Sequence, residues 1–369
     1  MQPAGTLLPH LTVEGEGYKA TTLAGVTSRP PEDRSLGTIV AQSREELGEF
    51  ETGKTSPWCL FVSVPEPHDP YVVGLEAYRR YDDWDSPPPG NWLDDLAGRP
   101  RIYQRAASAF AGLSDEDRTL AARCYYASVT EIDQQFGLIL DELDDRGLAD
   151  KTVVVLLTDH GDYLGAHGMY CKNIGAWEEA YNVPLVVAGP GIGAGTTSAP
   201  LCSSARVGTH ALFPSLMRHY GIPSSIDCDA PLFDDVLAAA SGDKDGDSLT
   251  RLADALERAD ANHREGLAEY HGGRLLLTQR IFYRDEWKLV WNGFDDHEFY
   301  DLATDSGELV NLAAPDGAAH DRSTRAGTAY RELSAAMWRE IERTGDRTLL
   351  NSQYVGLRAS EIGPEARNW

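Results

Sequence analysis

Three apolar runs, each followed by a polar loop, dominate the hydrophobic pattern of the first part of the chain. They span residues 58–64, 152–158 and 182–188. Apolar runs of this length that barely alternate with polar residues are typical of strands buried on both faces of a sheet. We therefore predict three buried strands, with the loops that follow them at one edge of that sheet.

Helices are predicted where apolar residues recur every three or four positions. Two such segments are residues 38–50 and residues 209–220. A longer one follows Ser114 and Asp117, which form a helix-capping pattern, and it ends at Gly147, a residue type common at helix C-termini. Outside residues 38–50, the first 55 residues show little periodicity and yield no predicted strand.

The last third of the chain predicts a smaller structural unit. Its expected elements are short strands at residues 275–278, 281–284 and 288–291 and a helix at residues 325–343. Together, the strands and helices indicate an α/β fold with a mostly parallel sheet flanked by helices. A polar segment at residues 241–247 marks the predicted boundary between this domain, residues 1–240, and a C-terminal α+β subdomain, residues 241–369.

The charge of the chain argues against polyanionic partners. It has 33 Lys and Arg residues against 58 Asp and Glu residues, a formal net charge of −25. Such a surface repels nucleic acids and anionic membranes, so neither is expected as a partner. Two interpretations of the acidity stay open: a halophile-like protein adapted to a high-salt cytoplasm, or an acidic protein from a GC-rich genome.

Membrane insertion and disulfide bonding are also not expected. No stretch of about eighteen apolar residues occurs, and the chain does not start with a basic segment followed by an apolar run. Five cysteines form no C-x-x-C pair, which argues against a disulfide framework. We therefore predict a cytoplasmic protein.

Candidate chemistry lies just after two of the predicted strands. Asp159 and His160 are adjacent and precede a glycine, so a carboxylate and an imidazole could meet on one cation, although a solvated acidic loop is the plainer alternative. His68 stands between Pro67 and Pro70 on a stiff loop. There it could donate to an anionic oxygen or protonate a leaving group, or simply bond to nearby backbone.

Lys172 follows these residues in a chain that has only six lysines. A lysine retained where arginine is the usual cation suggests a compact ammonium that serves an anion, and a solvated surface charge is the alternative. His167 lies close to it in the sequence, in the segment from Leu164 to Gly168.

Taken in order, these segments resemble the sulfatase family of the alkaline phosphatase superfamily. One match is the segment 60–71, an apolar run followed by the loop Pro67-His68-Asp69-Pro70 and Tyr71. The most specific is Thr158-Asp-His-Gly-Asp-Tyr-Leu-Gly-Ala-His-Gly168 followed by Lys172. Further similar segments are residues 125–133, 140–153, 177–179, 183–191, 287–290, 298–302 and 308–313.

The resemblance implies a function and a site. It implies a hydrolase of sulfate monoesters, with a small-molecule or carbohydrate sulfate ester as substrate and no specified oligomeric state. By this resemblance, Asp159 and His160 are expected to be two ligands of a divalent cation, which is usually calcium in this family. His68 and Lys172 are expected to contact the sulfate, and His167 is expected to lie near the substrate.

The chain also departs from the family pattern. Sulfatases carry an early pair of aspartates and then C-x-P-x-R or S-x-P-x-R, whose first residue becomes the formylglycine nucleophile, and neither element occurs in this sequence. We therefore expect that formylglycine is absent from this chain, that an N-terminal segment is lacking and that the chain alone is inactive. The alternatives are a phosphoesterase or phosphonate hydrolase of the same superfamily, and a noncatalytic protein that binds a metal or an anion.

Overall fold

The computed structural model describes residues 7–15, 18–50, 57–172, 174–190, 192, 202–225, 227–240, 248–272, 277–293 and 295–350. The chain forms two compact units. The first contains residues 1–95, 104–173 and 178–190, and the second contains residues 96–103, 174–177 and 191–369. The predicted boundary after residue 240 falls within the second unit, beside residues 241–247, which lie outside the described part of the chain. It stays a prediction.

The helices and strands alternate along much of the chain. The strands are β1 (Leu7–Gly15), β2 (Tyr18–Thr27), β3 (Tyr71–Gly74), β4 (Val154–Leu157), β5 (Leu185–Ala188), β6 (Glu265–Tyr270), β7 (Gln279–Arg284), β8 (Trp287–Asn292) and β9 (Glu298–Asp301). The helices are α1 (Ser35–Glu49), α2 (Leu75–Arg79), α3 (Arg101–Ser108), α4 (Asp115–Asp145), α5 (Glu178–Tyr181), α6 (Leu212–His219), α7 (Asp234–Ala239), α8 (Ser248–Asp260), α9 (Arg325–Thr344) and α10 (Arg347–Leu350). None of the helices in the described ranges is long and apolar enough to cross a bilayer.

The α/β class is confirmed, and the strand pairing is mixed. In the first unit, β2 pairs in parallel with β3 and antiparallel with β1, while β4 and β5 form an antiparallel pair. In the second unit, β6 to β9 form an antiparallel sheet in chain order. Sequence analysis missed β1 and β2, although Leu11 and Val13 alternate with polar residues and are buried.

Helix α4 is the main support of the first unit. It starts at the predicted capping box, in which Ser114 and Asp117 exchange hydrogen bonds, and the chain turns away at Gly147 with a φ of 64°. Its Glu131 carboxylate is ion-paired with Arg34 and accepts the Gly74 N–H at 2.9 Å. A side chain at Gly74 would collide with that carboxylate, so glycine allows the close approach that anchors the end of β3.

The predicted buried strand at residues 58–64 is wrong. The segment is extended, but in the described residues it pairs with no other strand, and every second side chain is exposed. Phe61 is 83% exposed. Strands β4 and β5 do form within the other two apolar runs, yet Leu156 and Val186, which face each other across the pair, are also exposed. The described residues leave one face of these segments uncovered, so their apolar character did not translate into burial.

The second unit has a core between its antiparallel sheet and α9. Trp287 stacks on Phe299 with ring centroids 5.0 Å apart, and Tyr330 and Trp338 of α9 pack against this layer. The predicted strands at residues 281–284 and 288–291 lie within β7 and β8, and the predicted helix at 325–343 matches α9. Of the predicted strand at 275–278, residues 275 and 276 lie outside the described part of the chain, and residues 277 and 278 are not in a strand, since β7 begins at Gln279.

His297, just after β8, is expected to make the stability of this unit depend on pH. Its ring stacks on Trp291, its Nδ1 accepts the Asn292 N–H at 3.0 Å, and burial lowers the pKa of the imidazole to about 4. In the unfolded chain a histidine has a pKa of about 6.5, so the unfolded state binds the extra proton between these two values. The free energy of unfolding should therefore fall as the pH falls from about 6.5 to about 4, by on the order of 3 kcal/mol from this residue.

Urea denaturation of the protein and of His297→Gln between pH 4 and pH 7.5 measures this contribution as the difference between the two curves. His271→Gln is the matched control, because His271 is exposed. The expectation fails if the pH dependence of His297→Gln parallels that of the unmodified chain.

Candidate functional site

Three predicted site residues from separate segments meet in the first unit. Lys172 Nζ lies 3.3 Å from His68 Nε2 and 3.1 Å from His160 Nε2, and the centroids of the two imidazole rings are 5.6 Å apart. We call His68, His160 and Lys172 the lysine–histidine cluster. His68 precedes β3 and His160 follows β4, so the fold of the first unit brings together residues that are far apart in the chain.

The backbone fixes the orientation of both imidazoles. His68 Nδ1 is 2.8 Å from the Asp69 carbonyl oxygen, and His160 Nδ1 is 2.9 Å from the Gly161 carbonyl oxygen. A carbonyl oxygen only accepts hydrogen bonds, so each Nδ1 carries a proton and each neutral ring presents its Nε2 lone pair to Lys172. The ammonium has three N–H donors and uses two on the rings. The third has no partner among the residues that the structure describes, so it is available to an anion.

Asp69 and Asp159 place carboxylates beside the two rings. The Asp69 carboxylate lies 3.1 Å from His68 Nδ1, so it also orients that ring. The Asp159 carboxylate lies 3.8 Å from His160 Nε2, and its side chain is 87% exposed. The four predicted residues Asp159, His160, His68 and Lys172 therefore lie in one neighbourhood, open to solvent.

A divalent cation fits Asp159 and His160 only in part. These two residues offer one carboxylate and one imidazole nitrogen, His160 Nε2, which in this structure accepts from Lys172, so a cation there would replace that contact. A bond from Nδ1–H to a carbonyl is common in metal-binding histidines. No group of three or more His, Cys, Asp or Glu side chains placed to hold a metal ion occurs in the described part of the chain. Calcium takes about six to eight oxygen ligands, so these two residues can supply only a fraction of its shell.

His167 does not join the lysine–histidine cluster. It is fully buried, its Nδ1 is 2.7 Å from an Asp94 carboxylate oxygen, and its Nε2 is 3.0 Å from the Asn91 side-chain nitrogen. Its φ of 52° lies in the left-handed region, in a tight turn between Gly165 and Gly168. These contacts give His167 a structural role in the fold. Its predicted place near the substrate stays a prediction.

Sequence analysis missed a bridge between the two loops of the cluster. The Tyr71 hydroxyl lies 2.8 Å from both carboxylate oxygens of Asp162 and accepts the Cys171 N–H at 3.1 Å. Burial raises the pKa of Asp162 above its ordinary value, although the bond from Tyr71 opposes this shift. Asp162 is the second acidic residue of the Asp159–Asp162 loop, and Tyr71 ends the segment that contains His68. Both therefore stood inside the segments singled out from the sequence.

The fold is the alkaline phosphatase-like fold of sulfatases. A solved structure described as a complex with its substrate D-glucosamine-2-N,6-O-disulfate matches with a TM-score of 0.66 and 17% identity, over 89% of this chain and 72% of the other. The phosphonate monoester hydrolase of Agrobacterium radiobacter matches with a TM-score of 0.66 and 19% identity, over 85% of this chain and 62% of the other. Likeness at this level of identity concerns the fold alone.

The sequence comparisons identify the family. Residues 25–222, more than half of the chain, match the model of the family described as Sulfatase. The chain therefore belongs to the sulfatase family.

Curated relatives agree with this assignment. Choline-sulfatase of Rhizobium meliloti is 28% identical over 86% of this chain and 58% of its own length. The uncharacterized sulfatase YidJ of Escherichia coli is 24% identical over 69% of this chain and 47% of its own length. The chain thus spans about half the length of the curated relatives it matches.

Proposed function

We propose that this chain supplies the sulfate-recognising part of a sulfuric ester hydrolase that acts on sulfate monoesters. The observation that carries the proposal is the meeting of Lys172 with His68 and His160 within 3.3 Å. A lysine ammonium held by two imidazoles presents its positive charge and its remaining N–H donor to a compact oxyanion. Membership of the sulfatase family supports a sulfuryl group as that oxyanion.

Two residues of the cluster, Lys172 and His68, then have roles in sulfuryl transfer. Lys172 donates to sulfuryl oxygens and stabilises the negative charge that builds up on them in the transition state. His68, when protonated on Nε2, donates to an anionic oxygen or gives its proton to the alcohol oxygen as the bond from sulfur to that oxygen breaks. Asp69 holds the ring for this transfer through Nδ1. None of the described residues is assigned as the nucleophile that attacks the sulfuryl group.

The substrate proposed is a small-molecule or carbohydrate sulfate ester. The relatives support this class, because one is named a choline-sulfatase and one solved neighbour is described with a disulfated glucosamine as its substrate. A cytoplasmic location and a surface adapted to high salt stay predictions from the sequence.

Substrate preference is the experiment that tests the proposed function. The native gene product should be assayed on 4-nitrophenyl sulfate, 4-nitrophenyl phosphate and a 4-nitrophenyl phosphonate, which share one leaving group. The proposal expects the largest kcat/KM for the sulfate. A larger value for the phosphonate would favour phosphonate hydrolysis instead. That activity is the second candidate because the phosphonate monoester hydrolase of Agrobacterium radiobacter has a similar fold. Sulfate binding without turnover of any of the three esters would favour a noncatalytic anion-binding protein.

We also propose that Asp159 and His160 contribute to a divalent-cation site, with calcium as the expected ion. A bound cation would neutralise charge on the sulfuryl group. We expect calcium titration in a calorimeter to detect binding that Asp159→Ala weakens by about 10- to 100-fold, since loss of an oxygen ligand is at least as severe as loss of a supporting contact.

The matched control for this titration is Asp150→Ala. Asp150 is also exposed, but it lies before β4, at the opposite end of the strand from Asp159. Equal calcium affinity in both variants, or no binding by the unmodified protein, would refute the cation site while leaving the anion-binding proposal in place.

A further inference from the structure

We propose that Tyr71 is a positioning residue that sets the place of the Lys172 ammonium, acting through Asp162 and the backbone of Cys171. The inference rests on the proposed function, because it explains how the sulfate-contacting lysine is held. Tyr71 is the first residue of β3 and follows the loop that carries His68. Its contact with Cys171 therefore connects the segment that contains His68 to the segment that contains Lys172.

The Tyr71 hydroxyl uses both its donor and its acceptor capacity. It donates to the Asp162 carboxylate, 2.8 Å away, and accepts the Cys171 N–H at 3.1 Å. Asp162 is fixed in turn, because its carboxylate also accepts the Leu164 N–H at 2.9 Å. The phenol is fully buried, so water does not compete for these bonds.

Cys171 needs this support, because its backbone adopts an unfavourable conformation. Its φ is 61°, in the left-handed region that side chains other than glycine rarely occupy. Tyr71 holds its N–H, and its carbonyl oxygen accepts the Tyr163 N–H at 3.1 Å. With both peptide groups bonded, the turn at Cys171 has one orientation. That orientation carries Lys172 to the two imidazoles.

The hydroxyl can be removed without removing the packing. The Tyr71 ring belongs to an apolar core and makes an edge contact with Tyr125, with centroids 5.4 Å apart. Tyr71→Phe keeps the ring and this contact, but it leaves Asp162 and the Cys171 N–H without their shared partner. The expected consequence is a displaced Lys172 in a folded protein.

Nitrogen NMR of protein with 15N-labelled histidine rings tests the position of Lys172 directly. Because the Nε2 atoms of His68 and His160 accept from Lys172, both signals should shift in Lys172→Ala, and Tyr71→Phe should shift them in the same direction. Tyr125→Phe is the matched control, since its phenol lies beside Tyr71 and, in the described residues, its hydroxyl makes no hydrogen bond. It should leave both signals in place.

Binding of inorganic sulfate, measured by calorimetry, tests the consequence for function. Tyr71→Phe should weaken sulfate binding by on the order of tenfold, the usual effect of losing one buried hydrogen bond. In a Lys172→Ala background the same substitution should have no further effect, because the residue it positions is gone. Asp162→Asn, which removes the charge but keeps the shape, should behave like Tyr71→Phe with a smaller loss.

The outcomes separate the two proposals. If Lys172→Ala leaves sulfate affinity unchanged, the proposed function fails, whatever Tyr71 does. If Lys172→Ala weakens sulfate binding but neither Tyr71→Phe nor Asp162→Asn shifts the histidine signals, the positioning role is refuted. An effect of Tyr71→Phe that persists in full in the Lys172→Ala background refutes it as well.

Discussion

Replacing Lys172 by alanine is expected to lower kcat/KM of the native gene product for an aryl sulfate by about a hundredfold or more. The ammonium is the only cation of the lysine–histidine cluster whose charge does not depend on the protonation of an imidazole. Two of its donors bond to His68 and His160, and under the proposed function the remaining donor meets the sulfuryl oxygens where negative charge grows during transfer. Most of the loss should appear in kcat, because the interaction strengthens in the transition state.

Two further variants sharpen this experiment. Lys151→Ala removes another exposed lysine, placed before β4 at the opposite end of the strand from Asp159, and should leave kcat/KM unchanged. Lys172→Arg keeps the charge but replaces a compact ammonium by a planar guanidinium, and we expect it to recover only part of the activity. Equal loss in Lys172→Ala and Lys151→Ala would assign the effect to surface charge and remove Lys172 from the site.

Replacing Lys288 by methionine is expected to destabilise the second unit by about 3–5 kcal/mol. Lys288 in β8 is fully buried, and its Nζ lies 2.7 Å from a carboxylate oxygen of Glu308, which is also buried. The ammonium lies above the Tyr283 ring as well, 5.3 Å from its centroid. Methionine fills a similar volume, but it removes the cation that lies 2.7 Å from a buried carboxylate.

A double variant distinguishes charge from shape. Lys288→Met combined with Glu308→Leu removes both charges and should recover most of the lost stability, because loss of the Lys288 charge beside a buried carboxylate is the main cost. Urea denaturation measures both variants, and Lys151→Met is the surface control. A double variant no more stable than Lys288→Met alone would show that packing, not loss of the ion pair, sets the penalty.

Local patterns in the sequence determined the helices and much of the candidate site. The capping pair Ser114 and Asp117, the periodicity up to Gly147 and the apolar stripe of α9 each act within one segment, so they could be predicted without tertiary structure. The site residues could be singled out in different ways: His160 follows a strand, His68 stands between prolines, and Lys172 stands out by residue type. Their proposed roles came from resemblance to the sulfatase family.

Only the tertiary structure decided which of these residues meet and which apolar segments are buried. It brought His68 to Lys172 across a long stretch of sequence, and it left His167, close to Lys172 in the chain, buried against Asp94. It exposed Phe61, although its neighbours are apolar, and buried the charged Lys288. The reason is that burial and side-chain contact depend on which segments pack together, and periodicity within one segment does not contain that information.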